Sequence, residues 1–245
     1  QNFMLLSCAI RMLAHPRLYA EKDFLHELLL KFVKHYADLY GADQLVYNVH
    51  SLIHLPDDCS NHGPLDSFAA FPFENFLGQL KRQLRKKNQV MAQVIRRLSE
   101  LSAVAAEVKK NSQTPHLTKE HHRGPLPGNL SFEVTSQFKR LVLQKFVVEV
   151  GQSNSCIEIN KRICIVKNIL RNDQEEIFVV CQHFRRSENF FTYPFNSSIL
   201  DIFKVSDMSE SLQVAPVSNI GSKFVLMPFE DVHVVFPLLH SCSQG

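Results

Sequence analysis

No run of apolar residues in this chain approaches the roughly 20 that a membrane-spanning helix needs. The most apolar N-terminal stretch, Phe3 to Leu13, is interrupted by Arg11 and is followed by no small-residue cleavage site, so neither a membrane partner nor a secretory leader is expected. Glycine and proline are sparse, 8 and 11 in 245 residues, and charged residues make up 21%, which excludes wholesale disorder. The six cysteines, at positions 8, 59, 156, 164, 181 and 242, form no CxxC and no tight ladder. That is the pattern of reduced thiols rather than of a disulfide scaffold, and it points to an intracellular protein that is not secreted. There is also no GxGxxG, no phosphate-binding Walker loop and no defensible Ser-His-Asp arrangement, so nucleotide, cofactor and triad enzymes lose support.

What is present is a 45% apolar composition, enough to bury a core in one large domain or two ordinary ones. A first residue of Gln reads as a piece of a longer protein. The formal charge of +3 is too small to name a partner, so the placement of charges matters more than their sum.

Up to about residue 110 the apolar residues recur at helical spacing. Phe24, Leu28, Phe32, Tyr36 and Leu39 follow acidic residues and precede Gly41, which predicts a helix with a glycine C-cap. Further helices are predicted over 3 to 14, ended by Pro16; over 43 to 55, ended by Pro56; over 73 to 86; and over 89 to 110, with Val90, Val94, Leu98, Leu101, Ala105 and Val108 as one stripe. Pro56 to Pro64 is rich in turn formers and reads as an irregular loop.

Residues 111 to 130 have no apolar period and contain three prolines and two glycines, which predicts a linker between halves that fold independently. Beyond it the period becomes two. Ile157, Ile159, Ile163 and Ile165 largely alternate with polar residues, and short apolar runs follow at 176–184, 199–205, 223–227 and 232–236, with a hairpin loop at Arg171 to Glu175. The expected fold class is therefore α+β: a helical region over 1–110, a linker over 111–130, and a small antiparallel β-rich accessory domain over 131–245, barrel or sandwich.

Three constellations could carry chemistry. Lys81, Arg82, Arg85, Lys86, Lys87, Arg96 and Arg97 lie on two adjacent predicted helices with no acid between Glu74 and Glu100. Such a ridge reads either as a solvated helix face or as a surface that neutralises DNA phosphates, and the missing i, i+4 acids favour the second. His50, His54, Cys59 and His62 are ligand types for zinc, but the spacing matches no common module and a structural role competes. Glu74, flanked by Phe71, Phe73 and Phe76, stands where a helix begins, and favourable interaction with the helix N-terminus alone accounts for it.

Tyr47 to Leu55, then Gly63 to Phe68, then Phe71-Pro72-Phe73-Glu74-Asn75-Phe76-Leu77-Gly78-Gln79-Leu80-Lys81 with Arg85-Lys86, fall in order as a block. The block resembles the end of the transposase region of CACTA (EnSpm-like) cut-and-paste elements, over about residues 2 to 100, and the β-rich tail resembles the looser segment that follows there. The resemblance implies the end of an RNase H-like catalytic domain in a nuclear, DNA-binding protein that acts in transposition. It implies Mg2+ or Mn2+ held by two aspartates and a glutamate, with Glu74 as that glutamate and with the aspartates on strands preceding Gln1. This fragment alone is therefore expected to be inactive, and a domesticated or decayed copy that binds DNA or protein without catalysis is the alternative. Self-association stays open.

Overall fold

The computed structural model describes residues 1–84, 89–111, 115–151 and 154–241, and the side chains of these except 101–111 and 240. The helices are α1 (Asn2–Ala14), α2 (Lys22–Tyr40), α3 (Tyr47–His50), α4 (Leu55–His62), α5 (Phe71–Gln83) and α6 (Val90–Asn111). The strands are β1 (His116–His121), β2 (Val134–Val142), β3 (Val147–Glu149), β4 (Cys156–Ile159), β5 (Arg162–Asn172), β6 (Ile177–Asn189), β7 (Phe203–Met208), β8 (Gln213–Pro216), β9 (Ile220–Phe229) and β10 (Val232–Pro237). Helices followed by an antiparallel β domain is the order expected.

Six strands close a ring. β5 pairs with β4, β4 with β9, β9 with β10, β10 with β7, β7 with β6, and β6 returns to β5, every pairing antiparallel. Cys156, Ile163, Ile165, Phe184, Val205, Phe224 and Val235 form one buried cluster to which each of these six strands contributes, so the barrel is plugged by side chains. Closure leaves no edge within the ring. The long strands β5 and β6 run past it: the second half of β5 pairs with β2, the first half of β6 with β8, and β1 and β3 pair with β2. This extension carries a second core, with Phe138, Leu141, Ile157, Val166, Ile169 and Val179 buried together. Alternation along β4 sends Cys156 into the barrel and Ile157 into the outer core.

A third core joins the two halves of the chain. Leu5, Leu13, Leu25, Leu29 and Phe32 of α1 and α2 are buried with Leu200 and Ile202 and with Val234 of β10. Phe24 packs on Phe195 with ring centroids 5.7 Å apart, and the Arg11 guanidinium donates to the Pro237 carbonyl at 2.7 Å. The helices and the barrel thus share apolar material, where the sequence led us to expect halves that fold independently.

The expected linker is corrected as well. Residues 116–121 form β1, and residues beyond it are held by side chains of the sheet: the Gly124 N–H donates to Gln137 Oε1 at 2.9 Å, and Asn168 Nδ2 donates to the Pro125 carbonyl at 3.2 Å. The irregular loop expected from Pro56 is helix α4. Pro56 occupies its first turn, where a missing N–H costs nothing, Asp57 and Asp58 favour the same end, and Gly63 terminates it at φ +89°. The single helix expected over 43 to 55 is instead a succession of short turns, with α3 and a 3₁₀ segment at Ser51–His54.

Candidate functional site

Helix α5 begins with Pro72 in its first turn beside Glu74 and ends with Lys81 and Arg82 in its last, an arrangement that suits the helix dipole at both ends. Glu74, Lys81 and Arg82 are exposed. So are Phe73, Phe76 and Leu77, which lie on one stripe with the buried Leu80. The helix therefore stands largely in solvent, with an aromatic N-terminal part and a cationic end.

The reading of an acid-free ridge is corrected at its far end. On α6, Glu100 accepts from Arg96 Nε at 3.2 Å and from Arg97 at 2.5 Å, the i, i+4 and i, i+3 pairs whose absence had favoured DNA. The Arg97 hydrogen bond, helped by that of Arg96, holds the Glu100 carboxyl below its ordinary range. Arg85, Lys86 and Lys87 lie outside the described residues. Of the seven expected cations, Lys81 and Arg82 are the described ones that no acid engages.

The four zinc candidates do not converge. His50 and His54 stand edge to face with ring centroids 5.7 Å apart, while His62 packs against Phe68 at 5.7 Å. Cys59 is fully buried with its Sγ 4.0 Å from the Leu13 carbonyl oxygen, and burial pushes its thiol up to about 11. Asp57 is engaged by Lys22 at 2.6 Å, and that hydrogen bond holds its carboxyl low. Among the described residues no group of three or more histidine, cysteine or acidic side chains could hold a metal ion. Glu74 belongs to no such group, so the described residues alone do not supply the set of carboxylates that two Mg2+ or Mn2+ ions take.

A cationic cavity that the sequence did not flag opens at one mouth of the barrel. Its volume is about 850 Å³, and Arg17, Lys161, Arg162 and Arg185 line it together with Glu158 and Asp201. Asn160 and Lys161 both have positive φ, +50° and +63°, so the hairpin between β4 and β5 turns tightly in the sense that matches strand twist and sets Lys161 and Arg162 at the rim. The signal was legible in principle: Ile157 to Ile165 alternates around Asn160-Lys161, a two-residue hairpin with both basic residues at its tip. At another opening a cavity of about 570 Å³ carries charges of both signs, Lys167 against Asp207 and Asp231.

Residues 120–238 match a family model described as a domain of unknown function, DUF8592. The match spans the barrel and leaves α1 to α6 outside it. No curated protein and no solved structure matches the chain. Among the described residues no helix is long and apolar enough to cross a membrane.

Proposed function

We propose that this chain is a DNA-binding part of a protein derived from a CACTA-class transposase, gripping the duplex backbone and lacking a complete catalytic centre of its own. In this reading α1 to α6 correspond to the end of an RNase H-like catalytic region, and the β domain is an accessory module. The observation that carries it is the exposed cationic end of α5, where Lys81 and Arg82 lead into the Arg85-Lys86-Lys87 run and no acid occurs from Asn75 to Ser99. Cations placed this way contact phosphates, which gives affinity with little sequence preference and a steep dependence on salt. The alternative is a domesticated or decayed copy that binds DNA or protein without catalysis; both readings place the two aspartates outside these residues, and among the described residues Glu74 belongs to no group of three or more metal-ligand side chains.

The test is fluorescence anisotropy with labelled duplexes of unrelated sequence across a salt series. Replacing Lys81, Arg82, Arg85, Lys86 and Lys87 with Gln should weaken binding by about tenfold or more and flatten the log–log salt dependence by about 0.9 for each phosphate no longer neutralised. Unchanged affinity and slope in the substituted protein would remove the ridge from consideration.

A further inference from the structure

The barrel mouth draws its cations from three separate stretches of chain. Arg17 comes from the turn after α1, Lys161 and Arg162 from the β4–β5 hairpin, and Arg185 from β6. All four are exposed. Arg185 faces Asp207 at 3.4 Å, but both side chains are about half exposed and such a pair holds little. Two acids line the same space. Asp201 is half-buried, and burial, opposed by Arg17 and Arg11, raises its carboxyl above the ordinary range. Glu158 lies against Gly221, where even a Cβ would stand 3.2 Å from its carboxylate.

The floor differs in kind from the rim. The buried rings of Phe184 and Phe224 close the mouth from inside the barrel, and Phe203 is only half-buried at its edge. A cationic rim beside an accessible ring is what a nucleotide needs, phosphate on the guanidinium and ammonium groups and base against Phe203. Shape then selects the form of the polymer. A recess of about 850 Å³ is the size of a small-molecule pocket, which admits one or two nucleotides of a flexible strand. A duplex, with its bases stacked inside a convex surface, does not enter the recess.

We infer that this mouth of the barrel binds single-stranded nucleic acid, holding phosphates on Arg17, Lys161, Arg162 and Arg185 and an unstacked base against the half-buried ring of Phe203. The site is independent of the α5 surface, so it stands whether or not that surface binds duplex.

The experiment uses the full chain and a labelled, mixed-sequence single-stranded oligonucleotide, with an unlabelled duplex of the same sequence and inorganic phosphate as competitors. Lys161→Asn, which tolerates the positive φ of the turn, combined with Arg162→Gln should weaken single-strand binding by about tenfold or more while duplex binding changes less than about twofold. Arg185→Gln, on a different strand, should repeat the effect, which guards against a local folding defect of the hairpin. Single-strand affinity unchanged in both variants overturns the proposal. So does an equal loss for strand and duplex, which marks a general charge effect. Displacement of the strand by inorganic phosphate at the same phosphate concentration also overturns it, because the site would then be an anion pocket that does not engage the base.

Discussion

A β carbon added to Gly124 would stand 2.1 Å from Nδ2 of Asn168, a fully buried side chain on β5. The same Nδ2 donates to Gln137 Oε1 at 2.9 Å and to the Pro125 carbonyl at 3.2 Å, so one amide ties two strands to the segment that follows β1. Gly124→Ala must push Asn168 out of this arrangement. The expected cost is about 1–3 kcal/mol, read as a fall in melting temperature, with faster proteolysis in the stretch after β1. Asn168→Ala should act in the same direction by leaving buried polar partners unmet. A Gly124→Ala protein that melts with the wild type would show that the latch contributes nothing.

Leu200 precedes β7, yet it is buried against α1 and α2. Leu200→Ala should therefore cost about 2–5 kcal/mol through reduced burial and the cavity left behind. Because the core is shared, the helical circular dichroism and the exchange protection of barrel amides should disappear in one transition, in the wild type and in the variant. Two separated transitions would restore the view of independent halves.

The parts of the fold that were legible in the sequence are those in which local pattern and tertiary burial agree. The predicted helix ending at Gly41 is α2, capped as expected, with Gly41 at φ +99°. Its buried face, however, is Leu25, Leu28, Leu29 and Phe32, while Phe24 and Leu39 of the predicted stripe are exposed. Two apolar stripes one residue apart are both available there, and packing of α2 against α1 and α4 selects between them. The strands around Ile157 to Ile165 and at 232–236 were legible because alternation is strong where one face enters a core. β1 was not: in His116-Leu117-Thr118-Lys119-Glu120-His121 only Leu117 is apolar, and what makes it a strand is its pairing with β2. The barrel mouth was hidden for a related reason. Arg17, Arg162 and Arg185 are scattered in sequence; pairing of β5 with β6 brings the second and third together, and packing of the helices on the barrel adds the first. The run of cations on α5 and α6 was conspicuous because it is contiguous, and contiguity carries no information on which of them are paired.

The His15 side chain caps the start of the 3₁₀ turn at Leu18–Ala20 in a way that depends on its charge. Its ring is buried, and Nδ1 accepts from the backbone N–H groups of Arg17 and Leu18 at 3.2 Å each, which puts the proton on Nε2. Burial, reinforced by Arg17 and Arg11, lowers its pKa from the ordinary 6.5. The folded protein therefore takes up this proton less readily than the unfolded chain. The contribution is fully present above about pH 6.5 and fades as the pH falls toward and through the lowered native value. His15→Asn keeps an acceptor oxygen and does not titrate. Between about pH 7 and pH 5 the wild-type melting temperature should fall more than that of His15→Asn, and parallel curves would show that this imidazole is not the group responsible.

Glu100 separates two explanations of DNA binding by the helical region. It engages Arg96 and Arg97 together, so removing its charge releases two cations on the face that continues from Lys81 and Arg82 in sequence. Under the proposed function, Glu100→Gln should tighten duplex binding severalfold at low salt and steepen the log–log salt dependence by about 0.9 for each arginine that reaches a phosphate. The control is Glu74→Gln, which changes the net charge equally but removes an exposed acid in the first turn of α5, about 10 Å along the helix axis from Lys81 and paired with no described cation. Its effect should be the smaller, confined to general attraction and weakened further as salt screens it. If the two substitutions raise affinity equally, only net charge is being sensed, and Arg96 and Arg97 are ordinary paired residues of a solvated helix. If Glu100→Gln alone strengthens binding and adds to the salt slope, the arginines belong to the contact surface and Glu100 is the residue that holds them back.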